Sequence, residues 1–389
     1  METSLHHLQY PGFCCNMGIK YYQALIRISA GEGEEDSMKT LDFDTRKKLI
    51  EANWRLEELD EVPFTIEVGP MHMATSKYYN NPRAEIEWAG DLARKREGVY
   101  DYGFPNIKPN QGISIIANAF GCECTANDEA DPWVKCLIRE ENAEDVHKLK
   151  VPDPLNNPVF VQAWKHMEAL QKLSSMPLRV LNVPSPLVSA SLIWDYTSFI
   201  EATLIFPDEV HVLLEKVTEA TILYIREMFK RITNLYSVSH EFPYLPRELG
   251  IRISDDTAAL FSPGLYREFG VKYNAMISKE FGGLVVHSCG DVQNVVEAMV
   301  EIPGLRGLDF TIPQVPDWSK IREYAAGKTV LNFRHLYWDH GKDSNVDLAE
   351  YSKKIIDFFG RKGIFIQTGT ATHEEAVALG EKLHKVLSR

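Results

Sequence analysis

No run of about 18 apolar residues, the length needed to span a bilayer, occurs in the 389-residue sequence. Its first thirty residues also lack the basic, apolar, small-residue order of a secretory signal, so no membrane partner and a cytoplasmic location are the expectations. Clustered Lys and Arg are missing. With 42 basic against 55 acidic side chains the formal charge is −13, which excludes a general phosphate-neutralising surface and removes nucleic acid as an expected partner. Neither G-x-G-x-x-G nor G-x-x-x-x-G-K-[ST] follows any strand-like run, so the phosphate-cradling turns of open nucleotide-binding sheets are absent. Cysteine is scarce as well. The six, at Cys14, Cys15, Cys122, Cys124, Cys136 and Cys289, are irregularly spaced and read as reduced thiols rather than a disulfide framework. Cys122-x-Cys124 has no matching pair elsewhere and no nearby His, and reads as structural.

An apolar fraction of 44% is enough for a large core. Eight short β-rich runs recur: FTIEV (64–68), ISIIAN (113–118), LRVLNV (178–183), IRIS (251–254), LVVHS (284–288), LRGLDF (305–310), TVLNF (329–333) and IFIQT (364–368). Helices are signalled between most of them. Asp208 after Pro207 opens one, Ser262 before Pro263 opens another that stops at Gly282 and Gly283, and Thr372 with Glu375 forms a capping box. Asp291 is placed to cap DVQNVVEAMVEI, whose Val292, Val295, Val296, Met299 and Val300 follow a helical stripe. Apolar strands alternating with amphipathic helices predict parallel βαβ units closed into an α/β, (β/α)8 TIM barrel over residues 61–389. A charged, helix-prone N-terminal extension covers residues 1–60, and elaborated loops fill 69–112 and 119–177.

Such a barrel carries its chemistry at the C-terminal ends of its strands. Those ends supply Glu67, Asn118, Asn182, Asp255 with Asp256, His287 with Cys289, Asp309, Asn332 with Arg334, and Gln367 with Thr368. His287 and Cys289, two apart in LVVHSCGD, leave the same face of an extended chain. That pair alone is either half a metal site or a buried imidazole beside an inert thiol.

The ordered set ISDDTAALFSPGLYREF, VVHSCGDV, GLDF, LNF and GIFIQTG, with AFGCE and DPWV upstream, resembles the uroporphyrinogen decarboxylase superfamily, especially its corrinoid-linked methyltransferase branch. The resemblance spans roughly residues 40–389. The Arg-rich M-R-Q-A-G-R-type stretch with which the decarboxylases grip propionates does not occur before Pro63, which disfavours a porphyrin substrate. In the methyltransferases a His, a Cys and a later Cys near the last strand bind zinc. His287 and Cys289 match the first two, but Thr368-Gly369 stands where the later Cys-Gly falls.

Three readings of that gap stay open. A carboxylate, Glu67, Asp255 or Asp256, completes a harder zinc site; His287 transfers a proton without metal; or the chain is a non-catalytic relative. The resemblance implies methyl transfer from a small donor, methoxylated compounds included, to the Co(I) of a separate corrinoid protein, since no D-x-H-x-x-G cobalamin motif is present. Transfer from a methyl-corrinoid to a pterin or thiol, a decarboxylase-like activity, and a binding role toward a corrinoid protein are the alternatives. His287, Asp255 and Asp256 are the expected catalytic groups, and His287, Cys289 and Glu67 the expected metal ligands. Glu67, Asn118, Asn182, Asp309, Asn332 and Arg334 are the expected substrate contacts, while Tyr78, Tyr79, Trp133 and Trp194 either line the mouth or pack.

Overall fold

Of ten strands among the described residues, two (Glu123–Thr125 and Trp133–Lys135) form a separate antiparallel pair and eight build the barrel: β1 (Phe64–Val68), β2 (Leu178–Arg179), β3 (Leu235–Tyr236), β4 (Ile251–Ser254), β5 (Leu284–Ser288), β6 (Leu305–Thr311), β7 (Val330–Arg334) and β8 (Ile364–Thr370). A computed structural model describes residues 41–69, 80–125, 133–239, 242–311, 315, 317–335 and 346–389. Six strands run parallel in the order β1-β8-β7-β6-β5-β4, and β2 pairs in parallel with β3. Single bonds stitch the remaining arc. Ser254 N donates to Val183 O at 2.9 Å, Arg252 N to Ser237 O at 3.0 Å, Arg179 N to Ile107 O at 2.8 Å and Tyr102 N to Phe64 O at 2.9 Å. The fold is the expected α/β barrel of parallel strands with helices outside, although its ladder is not continuous around the ring.

Two expectations need correction. Residues 113–118 do not form a strand: Ile115–Ala119 is a short helix, and a brief apolar run has no period that separates a buried helix from a buried strand. The missing strand is β3, only two residues long and without a pattern of its own. The helix expected after Asp291 shrinks to Val296–Met299. Its stripe is nevertheless buried at Val292, Val295, Val296 and Met299, and Asp291 Oδ1 accepts from Gln293 N at 3.1 Å to turn the chain. Ser262 and Thr372 cap their helices as expected, accepting from Leu265 N at 3.3 Å and Glu375 N at 3.2 Å. Gly282 ends its helix in the left-handed region, φ +84°, where a Cβ would come within 2.9 Å of Glu248 O.

Strand alternation divides the sheet into two chemical faces. Phe333 stacks on Phe359 of the helix Leu348–Phe359 at 4.5 Å, so its register partner Ile366 and the neighbouring Leu331 and Ile364 face the helices. The opposite face, the barrel lumen, carries Arg252 and Ser254, His287, Asp309 and Thr311, Asn332 and Arg334, Phe365 and Gln367, Thr65 and Glu67. Its N-terminal end is plugged. Trp54, on the helix Phe43–Trp54, lies 4.7 Å from Phe242, and Phe242 lies 5.7 Å from Phe365. A Cβ on Gly307 would meet the Trp54 ring at 3.0 Å, so a side chain here would have to push the plug aside by a few tenths of an ångström. Aromatic rings thus close the N-terminal end of a lumen whose upper wall is polar. Among the described residues no helix is long and apolar enough to cross a membrane.

Candidate metal centre

His287, the fourth residue of β5, lies beside Asp309 of β6 and Asn332 of β7 in one register row. Its Nδ1 bonds Asp309 Oδ2, and Asn332 Nδ2 donates to Asp309 Oδ1 at 2.6 Å. Burial alone would raise Asp309. The opposing fields of His287, Arg334 and Arg252 outweigh it and hold the carboxyl below its ordinary value. An ionised carboxylate only accepts, so Nδ1 carries a proton and Nε2 points away from Asp309.

Nε2 lies 3.0 Å from Cys289 Sγ and 3.9 Å from Asp256 Oδ1. Asp256 is fixed by a hydrogen bond, since Cys289 N donates to its Oδ1 at 2.6 Å. Among the described residues Asp256, His287 and Cys289 are the group whose ligand atoms converge, all within 4.8 Å of one another. The Asp256 side chain is 39% exposed, so the triad opens toward solvent on that side.

Asp255 sits one residue away and does something different. Fully buried, it accepts from Ser185 Oγ at 2.7 Å, Tyr266 OH at 2.8 Å and Asn274 Nδ2 at 2.9 Å, and its backbone N donates to His287 O at 2.7 Å. Burial pushes its carboxyl up, with the three donors opposing. The pair DD thus divides its work: Asp255 anchors the turn after β4, and Asp256 faces His287.

Glu67 is not drawn into the triad. Burial would raise its pKa, but Lys108, whose Nζ is 3.6 Å away, together with Arg96 and Arg179, takes it from 4.5 to about 2. A lowered carboxylate contributes stability above its unfolded pKa and loses it as pH falls toward the folded value. Glu67→Gln is expected to cost about 3 kcal/mol near pH 7. Urea unfolding of both proteins between pH 7 and 3 checks this: the difference should narrow below about pH 4.5, and a pH-independent difference would contradict it.

The other expected residues are scattered. Asn182 Oδ1 accepts from Arg252 Nη1 at 3.2 Å and Ser254 Oγ at 3.1 Å on the lumen wall. Asn118 lines a different pocket, about 270 Å³, with Gln111, Ser114, Cys124 and Gln162. Arg334 Nη2 donates to Thr311 Oγ1 at 2.5 Å. Thr368 shares the helix-facing side with Ile366 and donates from Oγ1 to His335 O at 3.2 Å. Cys122 is buried, which pushes its thiol up to about 12, in keeping with a structural role. Trp194 is buried core and Trp133 is exposed, while Tyr78 and Tyr79 lie outside the described residues. The Asp309–Asn332 support of His287 was hidden in the sequence, where the three residues are far apart; only strand register unites them.

Residues 90–241 match the family described as uroporphyrinogen decarboxylase (URO-D). Among solved structures, a methyltransferase from Methanosarcina mazei is similar over 88% of this chain and 97% of its own, at 16% identity and a TM-score of 0.61. A B12-independent methionine synthase from Shewanella sp. W3-18-1, in complex with selenomethionine, covers 85% of this chain and 94% of its own at 10% identity, with a TM-score of 0.45. No curated protein matches the sequence. Residues 90–241 therefore carry a uroporphyrinogen decarboxylase (URO-D) segment, within a chain whose barrel fold is shared with the Methanosarcina mazei methyltransferase.

Proposed function

We propose that this protein is a methyltransferase that moves a methyl group from a small donor to the Co(I) of a corrinoid carried by a separate protein, with zinc held by Asp256, His287 and Cys289. The convergence of those three ligand atoms at the open end of the barrel carries the reading. The site passes a simple test of fit. It offers one nitrogen, one sulfur and one oxygen donor, the types zinc accepts, and three protein ligands leave a fourth position for substrate. The ring nitrogen not aimed at the site is bound to a carboxylate, as metal-ligating imidazoles require.

In the transfer, the C–O electron pair stays on the donor's oxygen, the Co(I) pair forms the Co–C bond, and a proton ends on the departing oxygen. Zinc at the triad would supply Lewis-acid stabilisation to that oxygen. The chain's own residues do the rest. Asp309 and Asn332 fix the imidazole plane, the Cys289 amide fixes the Asp256 carboxylate, and the Trp54 plug keeps water out from below. Replacing a second thiolate by a carboxylate makes the site harder, which suits an oxygen leaving group over a thiol acceptor.

Free cobalamin, reduced to Co(I), is the probe. With methanol or 2-methoxyphenol as donor, the zinc-loaded protein should convert the Co(I) spectrum to that of methyl-Co(III) faster than the protein-free mixture. No acceleration with either donor, alongside demethylation of methylcobalamin by a thiol or pterin, would reverse the direction of the reading.

A further inference from the structure

One register row above Asn332, toward the open end, lies Gln367, paired with Arg334 on one side and Thr65 on the other. Gln367 is completely buried, and neither Nε2 nor Oε1 has a hydrogen-bond partner among the described residues. Nor has Asn332 Oδ1, whose identity is fixed because its Nδ2 donates to the acceptor-only Asp309 carboxylate. Thr65 Oγ1, on the other flank of Gln367, is also unbonded. Buried polar groups are almost always satisfied, and each exception costs stability, so three such residues on one lumen wall need a cause. Packing offers none. The helix-facing positions of the same strands are apolar or, like Thr368, bonded.

We propose that Gln367, Asn332 and Thr65 form a subsite for the methyl donor, resting on the methyl-transfer reading above. The subsite takes a neutral group with two N–H or O–H hydrogens and one acceptor, of which a primary carboxamide is the simplest. The unbonded set is complementary to it: Gln367 Nε2 donates to the ligand carbonyl, while Gln367 Oε1 and Asn332 Oδ1 each accept one ligand hydrogen. A carboxylate satisfies Nε2 and Arg334 but leaves both acceptors facing oxygen. Gln367 lies two strands from Asp309 and one row above it, roughly 7 Å along the strand and about 10 Å across it, on the same lumen face as His287.

Methoxyacetamide and methoxyacetate differ only in this group, and their binding to the purified, zinc-loaded protein tests the subsite by calorimetric titration. The amide should bind at least about tenfold tighter, one good hydrogen bond's worth. Gln367→Met, nearly isosteric and lacking both polar atoms, should bring the two within about twofold while raising the midpoint of thermal unfolding in the absence of probe. Tighter binding of methoxyacetate, no measurable binding of either probe to the wild type, or an unchanged preference in Gln367→Met would each overturn the proposal. Preference without methylation of Co(I) cobalamin would instead leave the subsite standing and remove the methyl-transfer reading. Methylation of Co(I) without any preference would do the reverse.

Discussion

Cys289→Ala is expected to strip the protein of stoichiometric zinc and of methyl transfer to Co(I) together. Structural zinc sites bind with about 10–16 kcal/mol shared over four ligands, so removing one ligand weakens affinity by roughly 10²–10³-fold. Among the described residues the triad has no reserve, because Asp256 and His287 are the other donors within reach. Cys289 is half-buried and its Sγ meets His287 Nε2, so truncation leaves no buried charge unpaired and the fold should be unaffected. His287→Ala is a harsher change. It also removes the partner of buried, ionised Asp309, which should cost about 3–5 kcal/mol of stability beyond the lost metal. Metal analysis of the two variants, with thermal unfolding alongside, separates the effects. Both should lack zinc and only His287→Ala should be markedly less stable. A zinc-replete Cys289→Ala protein would remove the thiol from the site.

Asp255→Ala is the second large effect expected, and it belongs to the fold rather than to the chemistry. Ser185 Oγ, Tyr266 OH and Asn274 Nδ2 all converge on this fully buried carboxyl, and Asn274 Nδ2 also donates to Tyr266 OH at 3.1 Å. Truncation strands three buried donors and opens a cavity, at about 3–5 kcal/mol in total. Because Asp255 N also donates to His287 O, the loss should loosen the turn that presents Asp256. Asp255→Asn keeps the size and one acceptor and should cost less than half as much. Its penalty should shrink as pH rises. Burial holds the folded pKa of Asp255 above 3.8, so its favourable term is complete below the unfolded value and is lost as the pH climbs through the folded one. Urea midpoints at constant slope read the difference. Equal, small losses in both variants would show that the network is slack.

Seven of the eight strands could be read from short apolar runs. The eighth could not, because Leu235–Tyr236 is two residues long and ISIIAN imitated it better. At the site, the two-residue spacing of His287 and Cys289 was legible because strand alternation is a local rule. Which carboxylate joins them was not. Glu67, Asp255 and Asp256 were equivalent as letters, but Glu67 lies on β1 facing Lys108 and Asp255 turns inward to three donors, so Asp256 alone faces the imidazole. Asp309 and Asn332 were legible as polar strand ends and not as the support of His287, since a register spanning three strands is a tertiary fact. Thr368, where the family resemblance leads one to expect a second Cys, points away from the lumen, while its neighbour Gln367 occupies the lumen wall with an unbonded amide.

X-ray absorption at the zinc edge of the purified protein bears most directly on the central claim. A centre built by Asp256, His287 and Cys289 predicts about one zinc per chain with a single sulfur neighbour near 2.3 Å and nitrogen or oxygen neighbours near 2.0–2.1 Å. Two or more sulfur neighbours, none, or protein that catalyses the transfer without bound zinc would contradict it.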